Sequence, residues 1–148
     1  MKKSEKVLTY FNNSFNCAQS VFTTFGPELG LNEDECLKIA CAFGAGMGKQ
    51  QHVCGAVSGA LMVLGAKFGK TLHEDESKKE FTYKKTEEFL HEFESQNGSI
   101  HCFELLHCLN MNIEQDEIKI HEQGLYETVC EKAIKGAVEI TERLISKE

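Results

Sequence analysis

The chain has 148 residues, of which 41% are apolar, with one proline and no tryptophan. A chain of this length buries a core without disulfide or metal staples, so we expect one helical domain over residues 1–148. The formal net charge of −7 makes nucleic acid and anionic membranes poor partners.

Helical periodicity and capping residues predict helices along the whole chain. Asn16, Asn32 and Ser99 are the predicted N-caps, and Gly26-Pro27 is a predicted helix end. The predicted helices are Lys3–Asn12, Cys17–Phe25, a third beginning after Asn32, about Val53–Phe68, Glu74–Glu94, Ile100–Leu106, Ile113–His121 and Leu125–Ser146. Period-two alternation is almost absent. We therefore expect an all-α fold, an irregular bundle of about six or seven helices with the nearly apolar helix 53–68 at its centre.

No segment resembles a targeting or membrane sequence. The N-terminal MKKSEKVL lacks an apolar h-region, so no signal peptide is predicted. The weakly polar run 53–66 is too short to span a bilayer. We therefore expect a cytoplasmic protein whose seven cysteines are reduced. Such cysteines are inert buried thiols, metal ligands or reactive thiols.

A glycine-dense loop, residues 44–48, leads into the apolar central helix. Cys54 lies in the first turn of this helix, where the positive end of the helix dipole favours a thiolate, so we expect it to ionise easily. Gly55 and Gly59 follow on one helix face. Their spacing favours either tight helix packing or room for a cofactor near Cys54, and it is also compatible with a homodimer.

Three cysteines share one local arrangement, and a fourth differs. Cys17, Cys54 and Cys102 each lie at the start of a predicted helix, whereas Cys130 lies on the apolar face of the last helix. Four thiols from four helices can converge at one point, as in other metal sites of helical bundles. Four thiolates around a [2Fe–2S]²⁺ centre carry about two negative charges, which three helix starts would largely offset. The predicted cofactor is an iron–sulfur cluster, with zinc as the alternative metal.

The remaining cysteines and the histidines fit a metal site less well. Cys36 and Cys41 are about 140° apart around a helix, so they do not face one ligand together. We expect these two residues and Cys108 to be inert buried thiols. His52, His101 and His107 adjoin cysteines in the sequence, which would suit a mixed zinc site, but surface positions are expected for them.

The residues leave three functions open. The first is an electron-transfer protein whose four cysteines bind a metal. The second is a thiol oxidoreductase in which Cys54 is the reactive thiol and Cys17 or Cys102 resolves it as a disulfide. The third is a structural or interaction protein whose cysteines only pack.

Four segments of the chain resemble one known family. They are FNCAQSVF, FGAGMGKQQHVCGAVSGALMVLG, GSIHCFELL and LYETVCEKAIKGAVE. The family consists of small bacterial and archaeal proteins described as redox-active and defined by a C…CGAxxG…C…C pattern. A similar domain precedes the haem-binding part of split-Soret cytochromes, where an iron–sulfur cluster has been proposed.

The resemblance implies roles for particular residues. It points to four important cysteines, which here are Cys17, Cys54, Cys102 and Cys130, and to a redox role with an electron donor and an electron acceptor as partners. The chain departs from the family pattern at His107-Cys108, where a glycine is expected after the leucine pair.

Overall fold

Eight α-helices make up the computed structural model, which describes residues 1–146. They are α1 (Lys3–Phe11), α2 (Cys17–Phe25), α3 (Glu33–Ala40), α4 (Gly55–Phe68), α5 (Glu76–Asn97), α6 (Cys102–Leu105), α7 (Glu114–Glu122) and α8 (Glu131–Ser146). Short 3₁₀ turns follow α2 and α3, and a π turn, Tyr126–Cys130, runs into α8. Residues 1–146 contain no β-strand, which confirms the predicted all-α class; Val53 and His101 form an isolated bridge.

Two predicted caps start their helices through local side-chain bonds. The Asn16 side chain accepts a hydrogen bond from the Gln19 N–H, and the Gln19 side chain accepts one from the Asn16 N–H. This reciprocal pair satisfies two backbone donors that α2 would otherwise leave unpaired. The Asn32 side chain accepts a bond from the Glu35 N–H at the start of α3. Both helices therefore begin where the sequence predicts.

Helix α4 is the central helix, as its nearly apolar sequence predicts. It packs against α2, α5 and α8, and most of its residues are buried. A helix that is apolar on nearly all sides is stable only inside the protein. By contrast, α5 is the strongly charged outer helix of the prediction and buries only Lys85, Phe89 and Phe93. No helix within residues 1–146 has both the length and the apolar character needed to cross a membrane.

Buried apolar side chains form two groups. The larger core joins α1 to α5 and α8 around residues such as Phe25, Leu64, Phe89, Phe93 and Ile134. The smaller core joins α6, α7 and the segment before α8, and consists of Cys102, Leu106, Met111, Ile120 and Leu125. The smaller core rests on short helices, because α6 has only four residues.

The structure confirms one predicted helix end and corrects one predicted N-cap. Helix α2 ends at Phe25, as Gly26-Pro27 predicts, and a separate 3₁₀ turn over Gly26–Leu29 follows it. Proline is tolerated there because it occupies the first turn, where its missing N–H costs no hydrogen bond. Ser99 is not the N-cap of α6, since His101 occupies that position; the Ser99 hydroxyl accepts a bond from the His101 N–H instead.

The three cysteines expected to be inert and buried lie in different environments. Cys36 is 1% exposed and belongs to the larger core, as predicted. Cys41 and Cys108 are exposed, so the prediction of burial is wrong for both. Cys41 starts the 3₁₀ turn after α3, and Cys108 adopts a left-handed conformation with φ of 60° in the turn after α6. Both turns lie at the surface, where polar backbone groups reach water.

Candidate functional site

A cavity of about 120 Å³ lies where the larger and the smaller core meet. Cys17, Cys54, Cys102 and Cys130 all line it, and we refer to them as the cavity cysteines. The other lining residues are mostly apolar and include Phe11, Leu105, Leu106, Met111 and Ile134. The fold therefore brings the four cysteines singled out in the sequence to the wall of one cavity.

Cys17 is the first residue of α2, directly after the cap residue Asn16. The Asn16 side-chain amide also donates a hydrogen bond of 2.9 Å to the Cys41 carbonyl, which ties the start of α2 to the end of α3. Backbone N–H groups of Ala45, Ala18 and Gly55 lie near the Cys17 sulfur and lower the pKa of its thiol. Three segments of the chain thus bring N–H groups to one thiol.

Cys54 and Cys102 are paired through the backbone. The Cys54 N–H donates to the Ile100 carbonyl, and the Cys102 N–H donates to the His52 carbonyl, both at 2.7 Å. These two bonds form the isolated antiparallel bridge just before α4 and α6. Cys54 is the N-cap of α4, Cys102 is the first residue of α6, and each is 8% exposed. Main-chain bonding therefore holds the two cysteines close to each other.

Cys130 is the last residue of a π turn, which no pattern in the sequence predicts. A π turn inserts one extra residue into a helical turn, and such turns are frequent at functional sites. The apolar pattern of Leu125–Ser146 continues through the turn, so periodicity alone gives no sign of it. The half-buried Cys130 lines the cavity together with Tyr126 and Val129.

The glycine loop before α4 has an uncommon backbone. Residues 45–49 all have positive φ, between 50° and 70°, although only Gly46 and Gly48 are glycines. For other residues the left-handed conformation costs roughly 1–2 kcal/mol each. A Cβ on Gly46 would lie 2.5 Å from the Gln51 Cα, so the return of the loop requires glycine there. Ala45 borders the cavity, which places this strained loop at the site.

The two glycines of the CGAVSG segment have different surroundings. A Cβ on Gly55 would lie 2.5 Å from the Cys17 Sγ, and Gly55 also borders the cavity. A Cβ on Gly59 would lie 2.7 Å from the Ala18 carbonyl oxygen, and Gly59 is not among the lining residues. Gly59 therefore permits close packing of α4 on α2, and a cofactor contact remains a prediction for Gly55.

Burial raises the pKa of all four cavity cysteines above the ordinary thiol range. It raises the pKa of Cys102 to about 12, and the neighbouring thiols Cys54 and Cys17 contribute. The pKa values of Cys54 and Cys130 are also strongly raised, and that of Cys17 is raised in spite of its backbone donors. The expectation that Cys54 ionises easily at its helix start is therefore wrong, because loss of water outweighs the two N–H groups of α4 near its sulfur.

The donor set is suitable for a metal, although its side chains are not arranged as ligands. Within residues 1–146, no group of three or more His, Cys, Asp or Glu residues is placed to hold a metal ion. All seven cysteines are free thiols. The predicted convergence is thus present as a shared cavity and not as a coordination sphere. Four thiols are nevertheless the donor set of iron–sulfur clusters and of Cys₄ zinc sites.

A polar chain of contacts that is not predicted from the sequence connects the cavity wall to solvent. Tyr126 lines the cavity, and its hydroxyl donates a hydrogen bond of 2.9 Å to Glu117 Oε2. Glu117 Oε1 lies 2.9 Å from Nε2 of His121, whose side chain is 63% exposed. The spacing of Glu117 and His121 is a known helical signal, but only the fold turns Tyr126 toward them.

The positions of the histidines that adjoin cysteines in the sequence argue against a mixed Cys/His metal site. His52, His101 and His107 are exposed, as expected for surface groups. None of the three is among the residues that line the cavity. Of the cysteines near these histidines, Cys54 and Cys102 line the cavity, whereas Cys108 does not.

Comparison with known proteins gives one match. A family model described as "Putative redox-active protein (C_GCAxxG_C_C)" matches residues 15–144, a range that includes all four cavity cysteines. No curated protein and no solved structure matches the chain.

Proposed function

The chain belongs to the C_GCAxxG_C_C family of redox-active proteins, which confirms the resemblance in its sequence, and we propose that the cavity cysteines bind an iron–sulfur cluster for electron transfer. One observation carries this proposal: four cysteines from four separate helical segments line one cavity. Iron–sulfur clusters are commonly held by four cysteine thiolates, and when bound they supply single-electron chemistry.

The surroundings of the cavity suit a negatively charged group. Four thiolates around a [2Fe–2S]²⁺ centre carry about two net negative charges. The starts of α2 and α4 lie at the cavity, and each contributes about half a positive charge. Helix α6 is too short to add much, so two helix starts support the site instead of the three that the sequence suggested. Backbone N–H groups near the Cys17 sulfur would offset more of the negative charge.

The raised thiol pKa values favour metal binding over nucleophilic catalysis. A thiolate is the reactive form of cysteine, and burial keeps Cys54 in its neutral form near pH 7. This argues against the alternative in which Cys54 is a low-pKa nucleophile. A thiol that coordinates a metal is deprotonated by the charge of the metal, so the same burial does not prevent ligation.

Metal and sulfide analysis of protein purified without oxygen tests the proposal. We expect brown protein that contains iron and acid-labile sulfide in similar amounts. A serine substitution at any cavity cysteine removes one soft ligand, so each of the four variants should lose iron and colour. Cys41→Ser is the matched control, since Cys41 is exposed and does not line the cavity, and it should keep both.

Two results would count against the cluster. Colourless protein that also fails to assemble a cluster from added iron and sulfide would contradict the proposal. Zinc bound stoichiometrically to the same four cysteines would retain the ligand set but replace electron transfer with a structural role, because Zn²⁺ has no redox chemistry.

A further inference from the structure

Gln51 is a buried amide in an unfavourable backbone conformation beside the cavity. It is 5% exposed, and its φ of 58° lies in the left-handed region that favours glycine. Burying an amide is costly unless both of its ends are hydrogen-bonded. A glutamine at this position therefore needs compensating bonds.

The Gln51 side chain makes those bonds to the turn after α6. Its Nε2 donates to the Leu109 carbonyl at 2.9 Å, and its Oε1 accepts from the Met111 N–H at 2.8 Å. The Gln51 carbonyl accepts a third bond from the Phe103 N–H at 3.1 Å. Phe103 follows Cys102 directly, and Met111 is part of the cavity wall. Gln51 thus hydrogen-bonds both ends of the segment that directly follows Cys102, residues 103–111.

Gln51 is also bonded to the segments of two other cavity cysteines. Its N–H donates to the Ala45 carbonyl at 3.1 Å, and the Ala45 N–H lies near the Cys17 sulfur, where it lowers the pKa of that thiol. Cys54 comes three residues after Gln51 and directly follows Val53, which forms the backbone bridge with His101. The bonds of Gln51 therefore link the surroundings of three cavity cysteines.

We propose that Gln51 is a positioning residue for the cavity cysteines, whose amide holds the Cys102 segment against the loop that leads to Cys54. The inference rests on the proposed metal-binding function. Residues that orient metal ligands from behind typically change metal affinity by about 10- to 100-fold when they are removed. The signal in the sequence is slight, because Gln51 is one of two adjacent glutamines after a glycine loop.

Titration of the metal-free protein with Co²⁺ tests the proposal, because thiolate-to-cobalt absorption reports both affinity and geometry. We expect Gln51→Gly and Gln51→Met to weaken Co²⁺ binding by about 10- to 100-fold and to shift the tetrahedral cobalt bands. Gln51→Gly also relieves the left-handed backbone, so this variant should remain folded even if Gln51→Met does not. Gln50→Met is the matched control, since Gln50 is exposed and its amide bonds the nearby Gly48 carbonyl.

The outcomes separate this inference from the proposed function. Unchanged Co²⁺ affinity and an unchanged spectrum in folded Gln51→Gly would overturn the positioning role while leaving the metal site intact. Wild-type protein that binds neither Co²⁺ nor an iron–sulfur cluster would overturn the proposed function. In that case alkylation rates of the metal-free protein decide: a several-fold faster reaction of Cys102 in Gln51→Gly, relative to exposed Cys41, supports positioning, and an equal rate overturns it.

Discussion

Each cavity cysteine lies near the start of a helix or in a π turn, and its sulfur has lost most of its contact with water. For Cys54, backbone N–H groups lower the thiol pKa, but desolvation raises it by more. A helix start contributes about 0.3–1 kcal/mol to a charged group, which is less than the penalty for taking an ion out of water. Without a metal, the cavity therefore holds neutral thiols at neutral pH.

We expect the metal-free protein to lose stability in alkaline solution. The pKa of Cys102 rises from its ordinary value of 9.0 to about 12 on folding, so at intermediate pH the unfolded chain releases a proton that the folded protein retains. The contribution of the Cys102 thiol to the free energy of unfolding is fully present below pH 9. It falls by up to about 1.4 kcal/mol per pH unit between the two pKa values. Urea unfolding at about pH 8 and about pH 10 measures this loss.

Two variants control the alkaline experiment. Cys102→Ser removes one buried thiol and should make the loss of stability with pH less steep. Cys41→Ser changes an exposed thiol outside the cavity and should leave the steepness as in the wild type. Equal free energies of unfolding at both pH values for the wild type would show that the thiols ionise as readily in the folded protein as in the unfolded chain.

Cys108→Gly is expected to stabilise the protein. His107 and Cys108 have φ values of 59° and 60°, where glycine is the favoured residue, and this accounts for the glycine expected there from the sequence. Because the Cys108 side chain is exposed, little packing is lost, and the free energy of unfolding should rise by about 1 kcal/mol in urea unfolding. Cys41→Gly is the control: Cys41 has a helical φ of −55°, so glycine should destabilise by about 0.5–1 kcal/mol. A less stable Cys108→Gly would contradict the strain argument.

At the scale of elements, the site depends on the close approach of α2 and α4. Gly59 lets α4 lie against the Ala18 carbonyl, and Gly55 leaves space for the Cys17 sulfur. The backbone bridge then joins the start of α4 to the start of α6, and the π turn ends at Cys130, which also lines the cavity. Small residues at the contact thus serve the cavity as well as the packing.

Alanine at Gly55 should disturb both the fold and the site. The added methyl would meet the Cys17 Sγ at 2.5 Å and the Ala18 nitrogen at 3.0 Å, so we expect a loss of about 1–3 kcal/mol in the free energy of unfolding and a lower iron content. Gly65→Ala is the matched control on the same helix, because a Cβ there has no neighbour within 4 Å. It should raise stability by about 0.5–1 kcal/mol. Urea unfolding and iron analysis of both variants give the comparison, and equal effects would contradict the steric argument.

At the scale of the whole molecule, the cavity lies between a large core of long helices and a small core of short ones. The cavity cysteines come from both sides, since Cys54 belongs to the larger core and Cys102 to the smaller. A metal held by both would link the two cores. The smaller core has few buried residues of its own, so it has the most stability to gain.

Removal of the metal should therefore lower stability, chiefly in residues 102–125. Binding to the native state alone adds about 2.7 kcal/mol when the free metal is at 100 times its dissociation constant. We expect a chelator to lower the urea midpoint of the loaded protein and to speed amide exchange in α6 and α7 before α4. A variant with serine at all four cavity cysteines should show neither response. Equal exchange in α6 and α7 with and without metal would contradict the link between the cores.

Much of the architecture could be inferred without coordinates because its signals are local. Asn16 bonds a residue three positions along the chain, so its cap and the bounds Cys17–Phe25 follow from a short segment. The apolar sequence of α4 likewise indicates a central helix by itself. The four cavity cysteines stood out through their places in predicted helices and through the family pattern, and the family assignment is confirmed.

The chemistry of the site required the folded structure because it arises between distant segments. The helix start predicts an easily ionised thiol at Cys54, and only its burial in the folded protein reverses that prediction. Gln51 and Met111 are 60 positions apart in the chain, so no local pattern reports their bond. The π turn at Cys130 leaves the apolar periodicity intact and is equally hidden. Helices depend on bonds between residues close in the chain and can therefore be recognised in the sequence. Desolvation and long-range hydrogen bonds exist only once the chain has packed.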